Sequence, residues 1–216
     1  ISTGCKADGL KAGGRDQRTS DDGKKFKRER ENMLNTMRYE SPIGELVLAQ
    51  KNEALVGLWI AGQKYFPDLR QKEIEEHADS RILNQTKGWL DRYFRGEKPL
   101  IRELKLAPEG SEFQRAVWKL LCEIPCGEVT TYGALSRRIA ADRGLERMSA
   151  QAVGGAVSHN PISIIIPCHR VVGADGSLTG YAGGLDRKVR LLEMEGVDMK
   201  NLFVPATGAG AVRNRT

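Results

Sequence analysis

The stretch Ile162-Ser163-Ile164-Ile165-Ile166-Pro167-Cys168-His169-Arg170 carries the most information about how this chain folds and where its chemistry lies. The isoleucine-rich half predicts a buried strand. Pro167 predicts that this strand ends, because proline lacks the amide hydrogen that a sheet requires. Side chains alternate along a strand, so Cys168 and His169 can face one pocket only if they lie on the turn that follows. The sequence therefore predicts a thiol beside an imidazole at the end of a strand.

Cys168 has two interpretations at this point. Cysteine is often buried, and a Cys that follows four isoleucines also fits a core position. A thiol beside an imidazole is, in contrast, typical of a nucleophile with its base, since the thiolate is the reactive form and a free thiol has a pKa near ~8.5. The predicted turn favours the nucleophile, because functional residues are concentrated on loops.

The 216 residues carry a net charge of +6, and most of that charge lies near the two ends of the chain. Residues 1–36 hold nine Lys/Arg against six Asp/Glu with little apolar periodicity, which predicts a disordered tail. Residues 204–216 form a second tail. The body between the tails is nearly neutral, apart from a local cluster made of Arg137, Arg138, Arg143 and Arg147. Charge therefore permits nucleic-acid binding without requiring it.

The four cysteines, at positions 5, 122, 126 and 168, lack the spacing of a disulfide framework, a zinc ribbon or a redox CxxC motif. No stretch approaches the ~20 apolar residues of a membrane span, and the N-terminus lacks the apolar core of a signal peptide. We expect a cytoplasmic protein in a reducing compartment, with no membrane contact, no metal and no cofactor.

Periodicity divides the rest of the chain into two folded parts. Residues 37–108 combine a strand pair with a helix and predict a small α/β unit. Residues 111–203 are mostly helical, and three short helices joined by tight turns are typical of a helix-turn-helix, whose later helix meets DNA. The predicted elements are strands over 45–49 and 54–60 and helices over 82–94, 113–121, 132–140, 150–158 and 185–195. The predicted N-caps are Ser111, in a capping box with Gln114, then Thr130 or Thr131, and Ser149.

The predicted helix over 150–158 contains Gly154-Gly155, which costs about 1 kcal/mol per glycine relative to alanine. Its small residues give a smooth surface that suits either a neighbouring helix or a narrow nucleic-acid groove, and the sequence leaves both open. Downstream, a glycine-rich loop around Tyr181 predicts the wall of a pocket for a flat group. Glu195, at the end of the last helix, is a candidate to orient a histidine.

Four motifs in a fixed order then carry a resemblance to a known family. They are Asn160-Pro161, Ile165-Ile166-Pro167-Cys168-His169-Arg170-Val171-Val172, Gly180-Tyr181-Ala182-Gly183-Gly184 and Leu191-Leu192-Glu193-Met194-Glu195-Gly196. In this order and spacing they resemble the O6-alkylguanine-DNA alkyltransferases, also called methylated-DNA-protein-cysteine methyltransferases. The resemblance extends from about Arg38 to about Phe203. It implies a ribonuclease-H-like α/β domain followed by a winged helix-turn-helix domain that binds the DNA minor groove.

The resemblance also implies the reaction and the residues that perform it. The protein would bind double-stranded DNA as a monomer and move a methyl or larger alkyl group from the O6 of an extruded guanine to Cys168, once and irreversibly. His169 would be the base, acting through a water, while Glu195 holds His169. Asn160 would brace the turn, and Tyr132 would donate a proton to the departing guanine. The implied substrate-binding residues are Val157, Val171, Tyr181 and Ala182, and the implied DNA-binding residues are Ser149, Gln151, Ala152, Gly154, Gly155 and Arg170.

One position departs from the family pattern. Many members carry an arginine where this chain has Gln151, and that arginine fills the space left by the flipped base. Glutamine can hydrogen-bond to the orphaned cytosine but brings no charge, so we expect slower base extrusion or a weaker dependence on salt. Two rival hypotheses stay open: a lesion-binding module without catalysis, although relatives of that kind replace the reactive cysteine, and a thiol hydrolase that turns over repeatedly.

Overall fold

The computed structural model describes residues 34–68, 74–76 and 80–206 of the chain. The predicted tails at 1–36 and 204–216 lie mostly outside these residues, but residues 34–36 belong to a paired strand and not to a disordered tail. The strands are β1 (Leu34–Ser41), β2 (Gly44–Lys51), β3 (Ala54–Ile60), β4 (Ile74–Glu76), β5 (Thr130–Thr131) and β6 (Val171–Val172). The α-helices are α1 (Arg81–Phe94), α2 (Glu112–Leu121), α3 (Tyr132–Asp142), α4 (Ala150–Ser158) and α5 (Leu185–Met194), and short 3-10 helices lie at Ile101–Glu103, Cys168–Arg170 and Met199–Asn201.

The N-terminal part is a four-stranded sheet with a helix packed on it. The strand order is β3-β2-β1-β4. Strand β2 pairs antiparallel with both β1 and β3, and β4 pairs with β1 in parallel. Helix α1 begins at its N-cap Ser80, whose side chain accepts a hydrogen bond from the Leu83 amide. Its buried stripe includes Leu83, Leu90 and Tyr93, which pack in the main core. The predicted α/β unit and its strand pair are confirmed.

The outer edge of β3 is covered by two later segments of the chain. Leu55 forms a bridge with Leu106, and Leu58 forms one with Ile162. The Leu58 amide donates to the Pro161 carbonyl (2.9 Å), and the Ser163 amide donates to the Leu58 carbonyl (2.8 Å). An open sheet edge is thereby closed, and the segment that leads to Cys168 is fixed to the N-terminal sheet.

The C-terminal part contains α2, α3 and α4, and the small parallel pair β5-β6. The predicted caps are present: the Ser111 side chain and Gln114 form a capping box, Thr131 rather than Thr130 caps α3, and Ser149 caps α4. The indole of Trp118 donates to the Ala156 carbonyl (2.8 Å) and joins α2 to α4 in the interior. A single core cluster includes buried residues of both parts, among them Leu58, Leu90, Val117 and Ile165.

The predicted strand over 162–166 is wrong. After the bridge at Ile162 the chain folds back on itself, because the Ile165 amide donates to Ser163 O (2.8 Å) and the Ile166 amide donates to Ile162 O (3.0 Å). Ile164 has φ +70°, a left-handed conformation that a β-branched residue rarely adopts. The isoleucines are buried as expected, but a continuous apolar run indicates burial and not an extended backbone.

No helix in the described part of the chain is long and apolar enough to cross a membrane.

Candidate active site

Cys168 begins the 3-10 turn that follows Pro167 and is buried, with 6% of its surface exposed. The Asn160 side chain forms three hydrogen bonds that fix this turn and the segment before it. Its Nδ2 donates to Cys168 Sγ (3.1 Å) and to Ile166 O (2.7 Å), and its Oδ1 accepts from the Ile162 amide (3.0 Å). Asn160 therefore fixes the backbone before the thiol and supplies a donor to the sulfur.

The pKa of Cys168 reflects two opposed effects. Burial raises it, whereas the Asn160 hydrogen bond and the positive charge of Lys188 lower it, and burial prevails. The thiol is consequently protonated at neutral pH. A reaction at this sulfur requires a nearby base, and the donors already in place would stabilise the thiolate once it forms.

His169 and Glu195 form a buried pair next to the thiol. His169 Nε2 lies 2.8 Å from Glu195 Oε1, and both side chains are at most 2% exposed. Burial lowers the pKa of His169 in spite of the carboxylate beside it, so the ring is neutral at neutral pH. Because a carboxylate only accepts, the ring proton resides on Nε2. His169 Nδ1 is buried without a hydrogen-bond partner in the described part of the protein, and it is the nitrogen able to take a proton.

Glu195 is held by two further side chains. Arg170 Nε lies 2.7 Å from Oε2, and the Tyr93 hydroxyl donates to Oε1 over 2.6 Å. Burial opposes ionisation of this carboxyl, but the hydrogen bond from His169, together with the hydrogen bonds and positive charge of Arg170, outweighs it and holds the pKa of Glu195 well below its usual range. Tyr93 belongs to α1, so the N-terminal part of the chain contributes to the acid-base pair.

The assignment of Arg170 to DNA binding is wrong. Only 6% of this residue is exposed. Its Nε and Nη2 donate to Glu195, and its Nη1 donates to the Ile124 carbonyl (2.6 Å). Every guanidinium nitrogen has a partner inside the protein, so Arg170 acts on the Glu195 carboxylate and not on a phosphate.

Lys188, on α5, is a functional candidate that the sequence analysis missed. It is fully buried, and its Nζ donates to the carbonyls of Val171 (2.6 Å) and Thr179 (2.8 Å). Burial lowers the pKa of Lys188 to about 8. Its position in the helix, three residues after Leu185 and next to Val189, was the available signal, but lysine is rarely fully buried.

The remaining residues implied in guanine binding lie on the loop after β6 or in the core that contains the thiol. The Tyr181 ring meets the His169 ring edge-on, with 6.3 Å between centroids, and its hydroxyl is buried without a partner in the described residues. Ala182 follows on the same loop, and Val157 and Val171 are buried in the core that also contains Cys168. The Tyr132 hydroxyl donates to Thr179 O (3.1 Å), and burial, aided by the nearby Cys168, raises the pKa of Tyr132 to about 12.

Helix α4 presents one exposed face. Gln151, Ala152 and Gly155 are exposed, whereas Gly154 is partly buried against the Tyr132 ring. A Cβ built on Gly155 meets nothing within 4 Å, so this glycine leaves open space in front of the helix. The Ser149 side chain is occupied in capping α4, where it accepts from the Ala152 amide (3.3 Å).

Two family models match the chain over most of the described region. Residues 36–108 match the ribonuclease-like domain of 6-O-methylguanine DNA methyltransferase, and residues 112–197 match the DNA binding domain of the same enzyme. The chain belongs to this methyltransferase family. The predicted pairing of a ribonuclease-H-like domain with a C-terminal DNA-binding domain is confirmed, and DNA binding with it.

Individual members of the methyltransferase family align over nearly their whole length. A methylated-DNA–protein-cysteine methyltransferase of Methanosarcina acetivorans is 44% identical over 163 residues, 73% of this chain and 96% of that protein. A crystal structure of Mycobacterium tuberculosis OGT in complex with DNA has a TM-score of 0.63 at 39% identity and covers 76% of this chain and 92% of that one. The O6-methylguanine methyltransferase of the same organism has a TM-score of 0.60 at 40% identity and covers 81% and 96%.

Within residues 34–68, 74–76 and 80–206, no group of three or more His, Cys, Asp or Glu side chains is placed to hold a metal ion. Cys5 and His77, whose side chains are of the metal-binding types, lie outside the described residues.

Proposed function

We propose that this protein repairs DNA by direct reversal, as a methylated-DNA–protein-cysteine methyltransferase that moves an alkyl group from the O6 of guanine to its own Cys168. The observation that carries the proposal is the buried set of Asn160, Cys168, His169 and Glu195, since it combines a stabilised sulfur, an oriented base and a carboxylate. The family's DNA-binding domain, matched over residues 112–197, contains all four.

The reaction is a displacement at the alkyl carbon. Through a bridging water, His169 Nδ1 removes the proton of the Cys168 thiol. The sulfur attacks the alkyl carbon, the S–C bond forms as the C–O6 bond breaks, and the electron pair stays with the guanine, which Tyr132 assists by donating a proton. One thiol and one alkylated guanine become one thioether and one guanine, so the balance needs no further reactant. A thioether has no ready leaving group, so each molecule acts once.

The guanine pocket would be formed by the loop after β6. The carbonyls of Cys168 and Val171 would hold the exocyclic amine, and the Ala182 amide would approach O6. Val171 O already accepts from Lys188 Nζ, but a carbonyl oxygen has a second lone pair. Tyr181 and Val157 would line the pocket. Entry of the guanine requires extrusion of the base from the duplex, which costs a few kcal/mol.

The DNA contact would be made by the exposed face of α4 in the minor groove. Gln151, Ala152, Gly154 and Gly155 would lie closest to the sugar-phosphate walls, and the open space at Gly155 supports a close approach. Ser149, at the N-terminus of α4, would lie beside a phosphate. We also propose that the protein acts as a monomer and that its working parts are residues 37–108 and 111–203.

Incubation with a duplex that contains O6-methylguanine tests the proposal. We expect one mass increase of about 14 Da, located on Cys168, and no further turnover. Cys168→Ala should abolish the transfer and leave DNA affinity largely unchanged, because the thiol offers little binding area. Cys122→Ala is the matched control, since it removes another free thiol that is not part of the set formed by Asn160, Cys168, His169 and Glu195, and it should retain the transfer.

The same experiment separates the rival hypotheses. A protein that binds the lesion but keeps its mass would be a lesion-binding module. A protein that releases many products per molecule would be a thiol hydrolase. Either result would overturn the proposed methyltransferase reaction at Cys168.

A further inference from the structure

A cluster of exposed side chains lies where the N-terminal sheet meets the end of α4. Lys64 and Tyr65 follow β3, and His159 is the C-cap of α4. The rings of Tyr65 and His159 stack with 4.1 Å between centroids and 28° between planes, and Lys64 Nζ lies 4.8 Å from the centroid of the Tyr65 ring. We call Lys64, Tyr65 and His159 the loop-helix cluster.

The cluster stays open to solvent although its rings are stacked. Tyr65 is 45% exposed, and Lys64 and His159 are exposed as well. Tyr65 has φ +62°, in the left-handed region that is unfavourable for a non-glycine residue. Such strained residues persist where the surrounding structure fixes them, and they are frequent at functional sites.

The loop that carries Lys64 and Tyr65 is fixed to the active site by two contacts. The Lys64 amide donates to the Ala182 carbonyl (3.0 Å), on the loop proposed to hold guanine. The Gln63 side chain accepts from the Ile60 amide (2.8 Å) and from the Ser163 hydroxyl (3.3 Å), next to the turn that leads to Cys168. The loop-helix cluster is therefore held beside the pocket.

His159 also continues the exposed face of α4. It lies four residues after Gly155, and residues at that spacing share one face of a helix. His159 Nδ1 lies 2.8 Å from Gly155 O; a carbonyl only accepts, so Nδ1 donates this hydrogen bond and holds the ring at the end of α4, where it stacks on Tyr65. Helix α4 contains no acidic residue to repel an anion.

We propose that the loop-helix cluster binds a phosphate of the DNA backbone beside the repaired nucleotide, so that the N-terminal domain contributes directly to DNA binding. The inference rests on the proposed function, because it takes the exposed face of α4 as the DNA-binding face. A duplex on that face would extend past Gly155 and meet His159 and then Tyr65. The Lys64 ammonium and the Tyr65 hydroxyl supply the cation and the donor that phosphate oxygens take.

The salt dependence of DNA affinity tests this contact. Binding to an O6-methylguanine duplex is measured across salt concentrations in a Cys168→Ala background, where no transfer occurs. Lys64→Ala should reduce the slope of log affinity against log salt by about 0.9, the value for one phosphate contact in duplex DNA. Lys87→Ala is the matched control: it removes an exposed lysine of the same domain, on α1, and should leave the slope unchanged.

Tyr65→Phe and Tyr65→Ala separate binding from structure. Tyr65→Phe keeps the stack on His159 and should weaken binding moderately, whereas Tyr65→Ala should weaken it further at an unchanged melting temperature. An unchanged slope in Lys64→Ala, or a Tyr65→Ala protein that melts earlier but binds DNA normally, would overturn the inference and show a purely structural stack.

The outcomes also distinguish this inference from the proposed function. If the wild-type protein takes up the methyl group but Lys64→Ala leaves the salt dependence of DNA binding unchanged, only the loop-helix contact is contradicted. If Lys64→Ala reduces the slope of log affinity against log salt but the wild-type protein never becomes methylated, the contact is supported and only the proposed reaction is contradicted.

Discussion

Glu195 Oε1 lies 2.8 Å from His169 Nε2 in the interior of the protein, and this contact fixes which imidazole nitrogen is free to act as a base. Glu195→Gln removes the negative charge and leaves Arg170 buried without a counter-charge. We expect a loss of about 3–5 kcal/mol in the free energy of unfolding, the usual cost of breaking a buried ion pair, and much slower alkyl transfer. Chemical denaturation and single-turnover kinetics measure the two effects. Glu193→Gln, exposed on the same helix, should change neither; equal losses in both variants would contradict this role of Glu195.

Acid should destabilise the protein in two steps. The pKa values of His169 and Glu195 are both lowered in the folded protein, so each group stabilises the fold above its unfolded pKa and loses that effect as pH falls. The free energy of unfolding should decline below about pH 6.5, the ordinary pKa of histidine, and more steeply below about 4.3, that of glutamate. Denaturant titrations from about pH 8 to about pH 3 measure this decline. A flat profile over that range would contradict the assigned shifts.

Lys188 should influence the acidity of Cys168. Lys188→Gln keeps N–H donors for the Val171 and Thr179 carbonyls but removes the positive charge, so the pKa of Cys168 should rise and transfer at neutral pH should slow by about tenfold per pKa unit. The pH dependence of single-turnover methyl transfer is the measurement, and its profile should move to higher pH. Lys119→Gln, exposed on α2, is the control. An unmoved profile in Lys188→Gln would leave the lysine with a structural role only.

Gly180 should tolerate no side chain. Its φ is +71°, and an added Cβ would lie 2.5 Å from the Tyr132 hydroxyl oxygen. Gly184, with φ +94° and nothing within 4 Å of an added Cβ, is a matched control for backbone strain alone. Gly180→Ala should lower the transfer rate more than Gly184→Ala, although both should lose stability. Similar rates in the two variants would show that the position of Tyr132 is unimportant for the reaction.

Gly155→Ala should affect stability and DNA binding in opposite directions. Alanine at this exposed helix position should add up to about 1 kcal/mol to the free energy of unfolding. The new methyl group would occupy the open space in front of α4 and should weaken DNA affinity. Gly88→Ala provides the control, since Gly88 lies in α1 with equally open space; it should stabilise the protein and leave binding intact. Undiminished affinity in Gly155→Ala would argue against a close approach of α4 to DNA.

The local signals in the sequence predicted the helices well. Ser111 with Gln114, Thr131 and Ser149 all cap as expected, because a capping hydrogen bond involves only neighbours in sequence. The run from Ile162 to Ile166 was misassigned, because its conformation depends on Asn160 and on pairing with distant Leu58.

The candidate site was only partly predictable for the same reason. The motif residues around Cys168 are neighbours in sequence, so the sequence alone identifies them as site residues. The hydrogen bonds of Tyr93 and Arg170 to Glu195 join residues 102 and 25 positions apart, so no local sequence pattern predicts them. A buried lysine such as Lys188 contradicts the usual preference of its residue type and becomes apparent only when its carbonyl partners are in place.

The Tyr93 hydroxyl of the N-terminal domain donates a hydrogen bond to Glu195 of the C-terminal domain. Replacing one domain by that of another family member would therefore disturb the active site. A chimera that joined this C-terminal domain to a foreign N-terminal domain with phenylalanine at the corresponding position would keep both folds and yet deprive Glu195 of one donor. The base of the reaction would then be altered by a substitution in the domain that contains neither the thiol nor the imidazole. Position 93 and position 195 should accordingly be transplanted together when such hybrids are built.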